Sequence, residues 1–163
     1  MRNLIFLFLF FSLPVYAQTY FSAAGIRGGY SSGFTFRQHL DPGLAYEGLL
    51  SFRKGGLQLT ALRQIIQQAP FEFSEDFYLI YGYGGHVGFN YTDHYYFMFH
   101  EYIYSDKRFS PLVGIDGFLG LEYHIPTIPM QVGVDVKPFF EFSIFEFFRI
   151  VPWDFAFTVK YIF

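Results

Sequence analysis

Apolar and polar residues alternate along most of this chain, and alternation at every second position marks a β-strand with one apolar and one polar face. In the stretch from Phe77, the residues Leu79, Tyr81, Tyr83, Val87 and Phe89 share one face, while Gly82, Gly84, His86, Gly88 and Asn90 lie on the other. The final stretch repeats the design: Phe155, Phe157, Val159, Tyr161 and Phe163 alternate with Ala156, Thr158, Lys160 and Ile162. Between them, Val113, Ile115, Leu119, Leu121 and Tyr123 alternate with Gly114, Asp116, Gly120 and Glu122, and Met130, Val132, Val134 and Val136 with Gln131, Gly133, Asp135 and Lys137. Four earlier strands are expected at 20–29, 34–40, 44–53 and 57–66, separated by the turn signals Ser31-Ser32-Gly33, Asp41-Pro42-Gly43 and Lys54-Gly55-Gly56. The total is eight.

Most of these segments reach the roughly 9 to 11 residues that a tilted strand needs to cross a bilayer. Unpaired N–H and C=O groups at a sheet edge cost several kcal/mol each in lipid, so an even number of antiparallel strands is expected to close into a barrel. The fold class predicted is all-β, an eight-stranded antiparallel transmembrane β-barrel after a cleaved signal peptide. With both ends of the barrel domain on the periplasmic side, the connections at 41–43, 67–76 and 126–129 fall below. Those at 31–33, 54–56, about 91–110 and about 142–152 fall outside. The two longest then face outward, as such barrels prefer, although 67–76 is long for a periplasmic turn.

Residues 1–17 read as a separate object. Arg2 precedes an apolar run, and Val15-Tyr16-Ala17 supplies a cleavage site, so a secretory signal peptide is expected to be removed before Gln18, leaving 18–163 as the barrel domain. Composition supports the membrane reading: 52% of the residues are hydrophobic, 25% aromatic and only 15% charged. Beyond the first residues no run of about 20 apolar residues offers a helical span, because 139–151 is broken by Glu141, Glu146 and Arg149. There is no cysteine, so stability must come from burial and hydrogen bonding, and a formal charge of −3 argues against nucleic acid as a partner. A secreted β-sandwich or lipocalin-like barrel is the soluble alternative. It would need a polar face rich in Lys, Glu and Thr, whereas the polar face here is largely Gly, which suits a narrow lumen.

Parity also assigns charges to that lumen: Arg27, Glu47, Asp116, Glu122, Asp135, Lys137 and Lys160. Ion pairs filling the barrel are a better reading of this set than an ion path, since eight strands leave an interior just wide enough for side chains.

The stretches GIRGGYSSGFTFRQHL, LAYEGLLSFRKGGLQLTAL, IYGYGGHVGFN, GIDGFLGLEYHIPTIPMQVGVDVKP and FTVKYIF resemble the small porin-like outer-membrane β-barrel proteins of Bacteroidetes, over nearly all of 18–163. The resemblance implies a Gram-negative cell-envelope location in the outer membrane. It also implies that the terminal aromatic Phe163 is the signal read by the outer-membrane assembly machinery. It brings no activity, cofactor or catalytic residue. The chain departs from the pattern at EFSIFEFFRIVPWDFAF, which is richer in Phe and poorer in Gly.

Candidate chemistry changes this picture little. A lipid-modifying enzyme would need a nucleophile and a base within reach, yet none of His39, His86, His94, His100 or His124 has a Ser two residues away. Glu122 and His124 share a strand face, and an ion-paired or capped His is the simpler reading. The glycines of GYGGHVG lie within a strand pattern and not before a helix, so no phosphate loop is expected. Asp93, His94, His100 and Glu101 have a spacing that arises often by chance, and no metal or cofactor is expected. In the long outer loop, Asp106, Lys107 and Arg108 follow an aromatic run and are expected at the tip, as contact candidates for an extracellular protein partner. The expected role is structural or adhesive, through the outer loops. Narrow porin-like transport of small solutes or ions is the alternative, and a lipid-modifying outer-membrane enzyme the second.

Overall fold

A computed structural model of the chain describes residues 22–163 except 54, 72–73, 98–99 and 144–147, and within 92–108 only the backbone. The signal peptide expected at 1–17 lies outside the described residues. The strands are β1 (Ser22–Gly29), β2 (Ser32–Asp41), β3 (Leu44–Arg53), β4 (Gly56–Gln68), β5 (Phe77–Phe97), β6 (His100–Ile125), β7 (Met130–Val136), β8 (Phe139–Ser143), β9 (Arg149–Val151) and β10 (Phe155–Ile162). All described pairings are antiparallel: β1 to β5 each pair with the next strand in sequence, β6 pairs with both β7 and β8, β8 with β9 and β7 with β10, and β1 pairs with β10 to close the ring.

Ten strands fill eight places. β7 and β8 lie on β6 in one register, Leu119 facing Val136 and Asp116 facing Phe139, and are parted only at Lys137-Pro138. Pro138 has no N–H to give to the ladder, but its carbonyl still accepts from the Gly117 N–H at 2.8 Å. β9 and β10 also form one strand with a bulge. Val136 faces Phe155 and Phe139 faces Val151, so Pro152, Trp153 and Asp154 stand opposite only Lys137 and Pro138.

Following paired residues around the wall, Gly133 leads through Thr158, Arg27, Gly33, Ser51, Gln58, Gly88 and Leu112 to Ser143, ten residues further along the strand from which the path began. An eight-stranded barrel with that stagger tilts its strands by roughly 40°. Gly55, at φ 80°, makes the tight β3–β4 turn in a backbone region that residues with a Cβ rarely occupy.

The alternation read from the sequence sorts inside from outside, and the sense is inverted relative to a water-soluble protein. Phe157 is 73% exposed, Tyr83 63% and Ile115 62%, whereas Arg37, Lys137 and Lys160 are at most 1% exposed. The one apolar cluster described inside is Leu62, Ile80 and Phe118, with Ile66 against it.

Two expected loops are strands. The 91–110 segment continues β5 and β6 as a two-stranded ribbon in which the last described pair is Phe97 with His100. Its Tyr, Phe and Ile residues favour a ladder over a loop. Asp106, Lys107 and Arg108 are therefore not at a tip. Arg108 faces Thr92, and Asp106 and Lys107 belong to a bulge in which residues 104–107 stand against Asp93 alone. The 142–152 segment is shortened in the same way by β8 and β9, whose Phe- and Ile-containing ends pair across the hairpin.

Candidate functional site: the charged barrel interior

Parity brings the seven inward charges into two layers. Nearer the end that holds Ser22 and Phe163, Arg37 reaches across the ring from β2 to β6. It donates to both oxygens of Glu122, at 2.6 and 2.8 Å, and through Nε to Glu47 at 2.9 Å. Lys160 of β10 donates to Glu47 at 3.0 Å and Glu122 at 2.9 Å, and the Thr35 hydroxyl donates to Glu47. Two cations and two carboxylates thus form a closed square on four strands, with every member at most 5% exposed. The bidentate Arg37–Glu122 pair fixes the width of the lumen.

Above it, the remaining charges form a chain in which sign alternates at each step. Asp135 accepts from Arg27 at 2.5 Å, and Arg27 donates to Asp154 at 3.2 Å. Lys137 bridges Asp154 and Asp116, at 3.3 and 2.9 Å. Asp116 meets His86 Nδ1 at 2.7 Å, His86 Nε2 lies 3.6 Å from Glu141, and Glu141 accepts from Arg53 at 2.5 Å. His86 stands where this order calls for a cation. Phe139 serves as a pillar: its ring lies 5.0 Å from the Arg53 guanidinium and 4.7 Å from the Lys137 ammonium, with the His86 ring edge-on at 5.4 Å. Ser31 closes the end away from Ser22 and Phe163, accepting from Arg27 at 2.7 Å and donating to Asp154. Thr158 donates to Asp135 at 3.0 Å.

All seven charges expected inside, Arg27, Glu47, Asp116, Glu122, Asp135, Lys137 and Lys160, belong to these two networks. Arg37, Arg53, His86, Glu141 and Asp154 complete them and were not in the expected set. The same parity identifies four of the five: Arg37 follows Thr35 between outward Phe34 and Phe36, Arg53 follows Ser51 past Phe52, Glu141 follows Phe139, and Asp154 leads Ala156, Thr158 and Lys160. His86 is on the polar face of its strand by the same alternation, which gives it no partner.

The arrangement ties strands together across the lumen. Both ring nitrogens of His86 face carboxylates, not a hydroxyl nucleophile. His124 stacks on Tyr78 at 4.3 Å. The side chains of Asp93, His94, His100, Glu101, Asp106, Lys107 and Arg108 lie outside the described residues. Phe163 ends β10's strand, exchanging backbone hydrogen bonds with Ser22 at 2.9 and 2.8 Å, and its ring packs on Phe36 and Tyr161. In comparisons with known proteins, no family model, curated protein or solved structure matches this chain.

Proposed function

We propose that this chain is an integral outer-membrane protein whose barrel is filled rather than porous, and which holds the β5–β6 ribbon outside the cell as a pairing surface for an extracellular partner. The observation that carries the reading is the inversion of the wall: a closed barrel with apolar side chains around its exterior and, among the described residues, ion-paired charges within. In water that exterior is an aggregation hazard, and in lipid it is a solvent-matched surface. The ion-paired interior favours a structural role over passage of solutes. A cell fractionation with a heated and an unheated detergent gel tests the address. The expected result is recovery with the outer membrane and a faster-migrating unheated band. Recovery in the soluble periplasm, or one mobility in both lanes, overturns it.

The partner-binding part rests on the ribbon. Pairing of β4 with β5 ends at Gly56–Asn90, so the outer edge of β5 from Tyr91 to Phe97 has no neighbouring strand among the described residues. Open edges of this kind accept another strand through backbone hydrogen bonds. Deleting 93–107 and joining Thr92 to Arg108 through an Asn-Gly turn removes the ribbon while keeping the paired rung below it. The shortened barrel is expected to keep its heat-dependent shift and to lose binding of intact cells to host proteins and to other cells. Undiminished binding sinks the ribbon as the contact surface.

A further inference from the structure

On the outer face of β3, β4 and β5, near the end of the barrel that carries Ser22 and Phe163, the residues are ordered in rows. Tyr46, Arg63 and Tyr83 are cross-strand partners in one row, two residues up from the Leu44–Ile65 pair beside the turn, or about 7 Å along the strands. Arg63 is partly exposed between tyrosines that are 48% and 63% exposed. It is the one cation described on the outer face of this half of the wall, since Arg27, Arg37, Lys137 and Lys160 all point inward. Below it, Gln67 donates to the Tyr81 hydroxyl at 3.1 Å, which makes the border polar. The next row up is Gly48, Ala61 and Gly85, a recess with almost no side chain, walled by Phe36 and Ile115. Above the recess the apolar surface resumes at Leu50, Leu59 and Val87.

We infer that these rows form a binding site for an anionic phospholipid of the periplasmic leaflet, an assignment that rests on the membrane reading above. An unpaired guanidinium on a lipid-facing wall is costly, and a phosphate lowers that cost by charge-assisted hydrogen bonds. Arg63 holds the phosphate and the Tyr46 and Tyr83 hydroxyls flank it. The recess receives the glycerol ester region, and an acyl chain continues over Leu50, Leu59 and Val87. The order cation, gap, apolar surface follows the order of a phospholipid from its headgroup inward.

The test is native mass spectrometry of the folded full-length barrel released from detergent, with phosphatidylglycerol or phosphatidylcholine added. Wild type is expected to retain one phosphatidylglycerol in preference to phosphatidylcholine. Arg63→Gln, which removes the charge, and Ala61→Leu, which fills the recess and leaves the charge, are each expected to weaken retention about tenfold. Equal retention by wild type and both variants overturns the site. Displacement by excess glycerol phosphate would reduce it to a plain anion site, and an Arg63-dependent dimer would give the surface to a second copy; either result overturns the lipid assignment. Failure of wild type to shift on heating would strike the membrane reading itself, whereas a shifting barrel indifferent to Arg63 strikes only this one.

Discussion

Glu122→Ala is expected to destabilise the barrel by about 3–5 kcal/mol, read as a lower denaturant midpoint for loss of the heat-sensitive band. Glu122 accepts from both terminal nitrogens of Arg37 and from Lys160, and all three side chains are sealed from solvent. Truncation leaves two cations to share Glu47, in a place where neither water nor another carboxylate of the square can compensate. The penalty comes mainly from the charge left unpaired, not from the net worth of the ion pair. Arg37→Met combined with Glu122→Leu should therefore cost less than Glu122→Ala alone, because Lys160 and Glu47 remain paired at 3.0 Å. If the double variant is as unstable as the sum of its singles, the square is not an energetic unit.

The wall was legible because inside and outside differ so sharply in polarity that a period of two survives even where residues vary. Tyr81, Tyr83 and Val87 outside and His86 inside follow directly from it. Legibility fails where strand geometry departs from that period. One extra residue at Pro152–Asp154 shifts the β8–β9 register relative to β7–β10, so Asp154 is assigned to the lumen only by counting back from Lys160. The ribbon fails for a different reason. Beyond the closed barrel a two-stranded ladder has no lumen on either face, so nothing forces alternation, and an aromatic run there reads equally as loop or strand. Partners across the lumen, such as Arg37 and Glu122, lie 85 residues apart in the chain. They become neighbours only through the stagger of the closed ring, which no local pattern carries.

The same closure makes a second, steric prediction from the glycine-rich inner face. A Cβ added at Gly84 would collide with the Ala61 carbonyl oxygen and lie 2.9 Å from Leu62 Cα, both of them backbone atoms of the paired strand β4. Side chains can rotate away from a new methyl, but a backbone carbonyl held in a ladder cannot move without breaking it. Gly84→Ala is therefore expected to reduce folded yield severely, with a loss above the usual 1–3 kcal/mol of overpacking in a core that can adjust. Gly28 supplies the matched control. It lies in β1 on the outer face, and nothing stands within 4 Å of the position its Cβ would take. Gly28→Ala should fold as well as wild type or gain about 0.4–1 kcal/mol from the less flexible unfolded chain. Refolding both variants into detergent and comparing the fraction of unheated protein in the fast band gives the answer. Equal yields would mean that the inner glycines are not needed for close strand approach, and the narrow, staggered wall would have to be held by the charge networks alone.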